Sequence, residues 1–425
     1  MSSVVILALG SRGDVEPHLA LGPALQRAGF DVQVVAHADY ATDVAAAGLP
    51  CSVVERTSVP TSGPLAHRYA AGLMGGTTAG MWAGLLGWSR QTADDVATSI
   101  RRACAPGDLV ITGIAGIGPA LALADGLGTQ VVHVAFSATV PTSVGPSTAF
   151  AARADRVSPL NWASSVQAWR GALSLSLASG GALRERLGIG RIGQRETLRR
   201  SLALPTLVAT SPLLAPPAHD WGDVTVTGSW RRPVDPSWAP SQRLVDFLDS
   251  GPEPVYVGFG SVVTSDPRGD IELLVEAARI ARVRVVVRPS GSGAEDIPAV
   301  PVPASVHIVR DAPHDWLMPR MAAVVHHGGA GTTVAGLRAG VPSAVVSHGL
   351  DQPFHGLRLA QLGVGPTPLR RRGLTAARLA QLLTELTSGP IAAWYRERAA
   401  AAGDSVRAER GLDVTLDWLD ERRLL

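Results

Sequence analysis

The sequence predicts an α/β chain of two Rossmann-like domains, each a doubly wound parallel sheet. Short, wholly apolar runs such as residues 4–9 and 322–325 lack polar alternation, as strands covered on both faces do. These runs alternate with helical stretches, and such alternation builds a parallel sheet. The pattern also starts twice, on either side of a stretch holding Pro212, Pro216, Pro217, Pro233, Pro236 and Pro240. At 425 residues the chain exceeds one usual domain.

In the first half, strands are expected at 4–9, 31–36, 51–54, 108–112, 130–136 and 204–210, with helices at 19–28, 41–47 and 120–127. Segments 57–106 and 137–200 hold no clean strand, and long insertions in a compact α/β domain usually serve function. They are read as the walls of a variable substrate pocket. The second half restarts with strands at 255–259, 283–287, 306–309, 322–326 and 343–346 and helices at 271–281, 332–339 and 354–362. Amphipathic helices at 378–386, 391–402 and 414–423 follow. The expected division is an N-terminal domain over 1–215, a linker over 216–240 and a C-terminal domain over 241–425, whose last helix packs back on the N-terminal domain.

Composition excludes several classes. Lys plus Arg is 38 against 36 Asp plus Glu, a formal charge of +2 that gives no case for a nucleic-acid partner. The chain has no lysine, so neither a Walker A loop nor a pyridoxal Schiff base can be formed. Cys51 and Cys104 are too few for a disulfide scaffold and lack zinc-site spacing, so a reducing cytoplasm is expected. Residues 69–89 are uncharged and long enough to span a bilayer, yet carry Gly72, Gly75, Gly76, Gly80, Gly84 and Gly87. They read as an apolar wall with Met74, Met81 and Trp82 facing an acceptor, not as a membrane span.

The strongest local signal is AAVVHHGGAGTTVAGLRAGVP at 322–342: an apolar strand, a glycine-rich turn and a helix closed by Gly340. Gly328, Gly329 and Gly331 let the backbone approach an oxygen-rich ligand, and the helix N-terminus attracts phosphate. Thr332 offers a hydroxyl there, and His327 stands at the strand's end. A glycine-rich turn alone fits a purely structural use, whereas His, Gly, Thr and a following helix together favour phosphate.

Gly258-Phe259-Gly260-Ser261 follows the first strand of the same half, and loops at the carboxyl ends of parallel strands converge on one crevice, which brings Ser261 toward the same phosphate. Asp351-Gln352-Pro353 sets an acceptor beside a donor, as sugar hydroxyls require, although Asp351 fits a helix N-cap equally well. Gly10-Ser11-Arg12-Gly13-Asp14 fills the turn after the first strand without the GxGxxG of dinucleotide sites. Locally, Asp14 fits either a helix cap or a ligand-reaching carboxylate.

Together HGGAGTT from His327, DQP from Asp351, GFGS from Gly258 and GSRGDVEP from Gly10 resemble the inverting, nucleotide-sugar-dependent glycosyltransferases of the GT-B fold. This is the UDP-glycosyltransferase superfamily, and the likeness is closer to its bacterial natural-product, glycopeptide and sterol-type branch. It covers essentially the whole chain. The resemblance implies two domains facing a deep interdomain cleft, with the donor in the C-terminal domain and the acceptor in the N-terminal one. It assigns His327, Thr332, Ser261 and the turn of Gly329 and Gly331 to the donor's diphosphate, and Asp351 and Gln352 to its sugar.

Ser11 and Gly13 are placed with the donor, and Asp14 is the general base, where plant members carry a histidine. His18 is the rival base, but it lies past Pro17 and has no carboxylate partner in Gly113-Ile114-Ala115-Gly116. Plant members stack uracil on a tryptophan where this chain has Asp311, and Trp316 is out of register, so UDP and dTDP donors both remain open.

The implied reaction is a single inverting displacement onto a hydroxyl of a hydrophobic small molecule such as a polyketide, aromatic or sterol. No metal or other cofactor is expected, because the helix terminus neutralises the leaving diphosphate and the chain holds no Asp-x-Asp. An ordinary aspartate pKa near ~3.9 makes a weak base, which suits an acidic acceptor hydroxyl. A nucleotide-sugar epimerase of the same fold, an NAD-dependent oxidoreductase and a non-catalytic helper protein are the competing readings.

Overall fold

The computed structural model describes residues 3–75, 78–259, 266–289, 302–310 and 312–424. The chain forms two units. The first comprises Met1–Tyr69, Ala79–Arg232 and Arg410–Leu425, and the second Ala70–Thr78 and Pro233–Glu409.

The first unit is a seven-stranded, all-parallel sheet of β1 (Ser3–Ala8), β2 (Asp31–His37), β3 (Cys51–Val54), β4 (Leu109–Thr112), β5 (Gln130–Ala135), β6 (Thr206–Val208) and β7 (Val224–Val226). Their order is β3-β2-β1-β4-β5-β6-β7, so the winding reverses between β1 and β4. Both faces are covered. Val4, Ile6 and Ala8 pack into one apolar core with Val34 and Ile111, while Val5, Leu7 and Leu9 pack into another with Val35 and Val110. That double burial is why β1 reads as an unbroken apolar run.

β7 lies inside the segment read from sequence as a linker, and the first unit runs on to Arg232. Three residues with a central threonine, half-buried at the sheet's edge, carry no periodic signal. The C-terminal helix Gly411–Glu421 belongs to this unit too. Trp418 Nε1 donates to Thr225 Oγ1 at 3.1 Å, and Trp230 Nε1 donates to Thr415 Oγ1 at 2.8 Å.

The second unit is a six-stranded parallel sheet of β8 (Val255–Gly258), β9 (Val285–Arg288), β10 (Val306–Ile308), β11 (Ala323–His326), β12 (Ser343–Ser347) and β13 (Leu369–Arg370). Its order, β10-β9-β8-β11-β12-β13, reverses between β8 and β11. Val255, Val257, Val285 and Val325 face one core, and Tyr256, Val286 and Val324 the other. Ligands of open α/β sheets bind outside the strand carboxyl ends at such a reversal.

The apolar stretch at 69–89 falls in two helices, Gly63–Gly75 and Thr78–Gln91, and among the described residues no helix is long and apolar enough to cross a membrane. Its glycines serve packing. A Cβ at Gly84 would lie 2.9 Å from Tyr69, and one at Gly87 would lie 2.5 Å from a Leu65 methyl, so small residues let the helices meet.

Candidate functional site

In the first unit, β1 runs through Leu9 into Gly10, whose φ of +123° favours glycine. A Cβ there would lie 2.6 Å from the Asp14 carboxylate. Ser11 caps the helix Arg12–Arg27, and Asp14 occupies its third position, so the two form a capping box. The Ser11 amide and hydroxyl both donate to Asp14 Oδ2 at 2.8 Å. Ser11, assigned from sequence to the donor, thus spends its hydroxyl on Asp14. Gly13 is exposed on the same turn.

His18 is fully buried, edge-on to Phe136 at 4.9 Å, and donates through Nδ1 to the Asp14 carbonyl at 2.8 Å. Burial pushes its pKa down to about 4, the Asp14 hydrogen bond only partly offsetting it. It is a buried ring that braces the first turn carrying Asp14. Of the acceptor residues expected in the insert, Met81 is 4% exposed and packed inside, and Trp82 is half-buried. The side chain of Met74 lies outside the described residues.

In the second unit, His326 on β11 pairs in register with Gly258 on β8 at the sheet's reversal, so His327 leaves β11 beside Phe259. Ser261 lies outside the described residues, as does Asp311.

Past β11, Gly328 turns the chain at φ +92°, and the helix Ala330–Ala339 starts from Gly329. The His326 Nδ1 accepts the Gly328 amide at 3.0 Å, and His355 Nδ1 donates to the Gly328 carbonyl at 2.6 Å. A Cβ on Gly329 would fall 2.4 Å from His327 Nε2, so that nitrogen lies over the helix N-terminus. A Cβ on Gly331 would meet nothing within 4 Å. Thr333 turns its hydroxyl back to the Gly329 carbonyl at 2.8 Å, leaving Thr332 as the half-exposed hydroxyl of the first turn.

Burial holds the His327 pKa at about 4, with His348 adding to the shift and Asp351 opposing it. A neutral imidazole with Nε2 above free helix amides can donate to an anion without carrying charge. Asp351 stands at the N-cap position of the helix Gln352–Leu362 without a side-chain cap bond. Gln352 Oε1 accepts the His348 amide at 2.7 Å and the Gly349 amide at 3.4 Å. Both partners are donors, so the oxygen must face the loop and Nε2 is the end that can reach a ligand.

Sequence reasoning missed His355 and His348. His355 ties the second helix to the Gly328 turn, a long-range contact with no local pattern. Trp316, out of register for the base platform in the sequence, is half-buried. Trp238 packs edge-on to it at 5.2 Å, and the Arg320 guanidinium sits 4.2 Å over its ring.

Two doubly wound parallel sheets, the second with a histidine, glycine and hydroxyl turn at its winding reversal, define a GT-B type α/β protein. The comparisons agree. Residues 4–70 match the glycosyltransferase family 28 N-terminal domain, and residues 272–409 match the erythromycin biosynthesis protein CIII-like C-terminal domain. Sterol 3-beta-glucosyltransferase UGT80B1 of Arabidopsis thaliana is 31% identical over 385 residues, covering 86% of this chain and 60% of the relative. A sterol 3-beta-glucosyltransferase of Emericella nidulans is 32% identical over 85% of this chain and 26% of its own length.

This chain therefore spans only about 60% of the plant relative and about a quarter of the fungal one. Among solved structures, the glycotransferase of kitacinnamycin superposes with a TM-score of 0.67 at 20% identity, covering 99% of this chain and 98% of that one. The calicheamicin glycosyltransferase CalG4 gives 0.65 at 18%, with the same coverage. In sequence the chain is thus similar to glycosyltransferases over most of its length, and in fold to GT-B glycosyltransferases.

Proposed function

We propose that the chain transfers a sugar from a UDP- or dTDP-sugar to a hydroxyl of a hydrophobic small molecule, with inversion and without a metal. The observation that carries the reading is His327 Nε2 placed over the N-terminus of Ala330–Ala339 at the reversal of the second sheet. The diphosphate is held there by helix amides, His327 and Thr332, with Ser261 as a further ligand. Asp351 accepts from sugar hydroxyls and Gln352 Nε2 donates to them.

In the reaction, Asp14 takes the proton of the acceptor hydroxyl as its oxygen bonds to the anomeric carbon. The bond from that carbon to the diphosphate oxygen breaks, its electron pair leaving with the diphosphate. Charge grows on the diphosphate in the transition state, and one preorganised donor at such a site contributes roughly 3 kcal/mol. The names of the relatives support a sterol or sterol-like acceptor.

The test is mass spectrometry of the protein with UDP- and dTDP-glucose and a panel of sterols, phenols and polyketides, with and without EDTA. Glycoside formation that persists in EDTA, with inverted anomeric configuration by NMR, is the expected result. Retained configuration or loss of transfer in EDTA overturns the mechanism.

A further inference from the structure

Three tryptophans from two distant stretches of sequence line one notch of the first unit. Trp162 and Trp169 stand seven residues apart on the helix Pro159–Leu173, so they share a face of it, and Trp221 precedes the edge strand β7. With Val140, Pro141 and Leu202 they wall a cavity of about 60 Å³. Trp169 is 4% exposed and fixed by its Nε1 bond to Ser201 Oγ at 3.0 Å, whereas Trp162 is 43% exposed. Thr206 and Val224, the first residues of β6 and β7, also line the notch, which therefore lies at the amino ends of these strands. Asp14 follows the carboxyl end of β1 in the same parallel sheet, so the notch is a place apart from the proposed transfer site.

One charge meets this wall. Asp220 lines the notch, and its carboxylate accepts from the Thr142 hydroxyl and from the Ser143 amide, the latter at 2.7 Å. Desolvation works against its ionisation, but these bonds outweigh it and hold the carboxyl below its ordinary pKa, so the group is an anion at neutral pH. Two bonds leave further lone pairs on its two oxygens. No arginine or histidine lines the notch, and none pairs with Asp220 among the described residues. Trp221 Nε1, in the same wall, is buried without an acceptor among those residues.

Aromatic rings beside an unpaired carboxylate attract a cation, and the lining decides which kind. A hard metal ion takes six or more oxygen ligands, which a wall of indole rings does not supply. A methylated ammonium carries its charge under an apolar skin that indole rings can cover. The cavity is far below the ~300 Å³ at which sites for whole drug-sized ligands begin, so it admits a head group and not a sugar nucleotide. We infer that the notch of Trp162, Trp169, Trp221 and Asp220 binds a quaternary ammonium group of the choline type.

The experiment is calorimetric titration of the full chain with choline and with dimethylbutanol, the uncharged isostere in which carbon replaces the nitrogen. Choline is expected to bind about tenfold more tightly than the isostere. Trp162→Ala, at an exposed position, should keep the wild-type unfolding temperature and weaken choline by about tenfold, with Trp162→Phe recovering part of the loss. Asp220→Asn should bring choline and its isostere together. Co-sedimentation with phosphatidylcholine vesicles that free choline reverses assigns the head group to a lipid, and choline binding without vesicle binding assigns it to a soluble compound; both uphold the site. Equal affinity for choline and the isostere, no binding of choline, or choline affinity unchanged in both Trp162→Ala and Asp220→Asn overturns the inference. None of these outcomes bears on the transferase reading.

Discussion

Ser11 delivers two hydrogen bonds to a single oxygen of Asp14, one from its amide and one from its hydroxyl, both at 2.8 Å. The bonds that start the first helix therefore also orient the proposed base. Asp14→Asn keeps an oxygen for both donors but cannot take a proton. The expected result is a wild-type unfolding temperature with kcat lower by about 10²–10⁴-fold. Ser11→Ala keeps the amide bond and loses the hydroxyl, at about 1 kcal/mol in stability. Transfer undiminished in Asp14→Asn removes Asp14 from the role.

Gly329 and Gly331 stand on either side of Ala330 and differ in what a methyl group would meet. At Gly329 it would strike His327 Nε2 at 2.4 Å, whereas at Gly331 it enters open space at the first helical turn. Gly331→Ala is expected to fold at least as well as the wild type, since alanine in a helix is favoured over glycine by about 1 kcal/mol. It should nevertheless weaken nucleotide-sugar binding, because the methyl takes up room for the diphosphate. Gly329→Ala is expected to lose both stability and binding. Calorimetric titration beside thermal unfolding separates the two, and full affinity in Gly331→Ala would place the diphosphate elsewhere.

Much of this was legible because parallel strands buried on both faces leave unbroken apolar runs. β1, β8 and β11 stood out on that ground, and the turns after them were found by following the strands to their ends. The first helix was expected only from residue 19, yet it begins at Arg12 and carries Pro17 inside it. β7 and β13 escaped notice at three and two residues, too short for any period. At the site, His327, Asp351 and Gln352 could be named from their neighbours in sequence. That His18 is a buried brace and that His355 holds the Gly328 turn depend on contacts made only when distant segments meet.

Gln352 offers a cleaner probe of sugar recognition than its removal would. Gln352→Glu retains an oxygen for the His348 and Gly349 amides, so the turn should hold and the unfolding temperature stay near wild type. What changes is the outward end, where an NH₂ donor becomes an acceptor beside the Asp351 carboxylate. A hydroxyl that accepted from Gln352 is then left unpaired, and the donor KM should rise by roughly 10- to 100-fold with nucleoside diphosphate affinity little altered. Equal losses for the sugar nucleotide and the bare diphosphate would show that Gln352 serves the turn alone.

Acid should unfold this protein early, and the second unit most steeply. Burial holds His314, His327 and His348 at about 4 and His326 well below its ordinary value, all around the β11 turn. In the first unit His18 is held at about 4 and His133 at about 3, again chiefly by burial. In the unfolded chain these rings take protons near 6.5. As pH falls from 6.5 toward 4 the unfolded state binds protons that the folded state refuses, so stability falls with pH. Each ring contributes a slope of roughly 1.4 kcal/mol per pH unit in that window. Above pH 7 both states are neutral and the slope vanishes. Thermal unfolding from pH 8 to 5 should show a plateau and then a steep decline, and hydrogen exchange at pH 5.5 should show residues 323–362 losing protection ahead of β1 and β4. A profile flat down to pH 5 would mean that the buried histidines already carry their protons in the folded state.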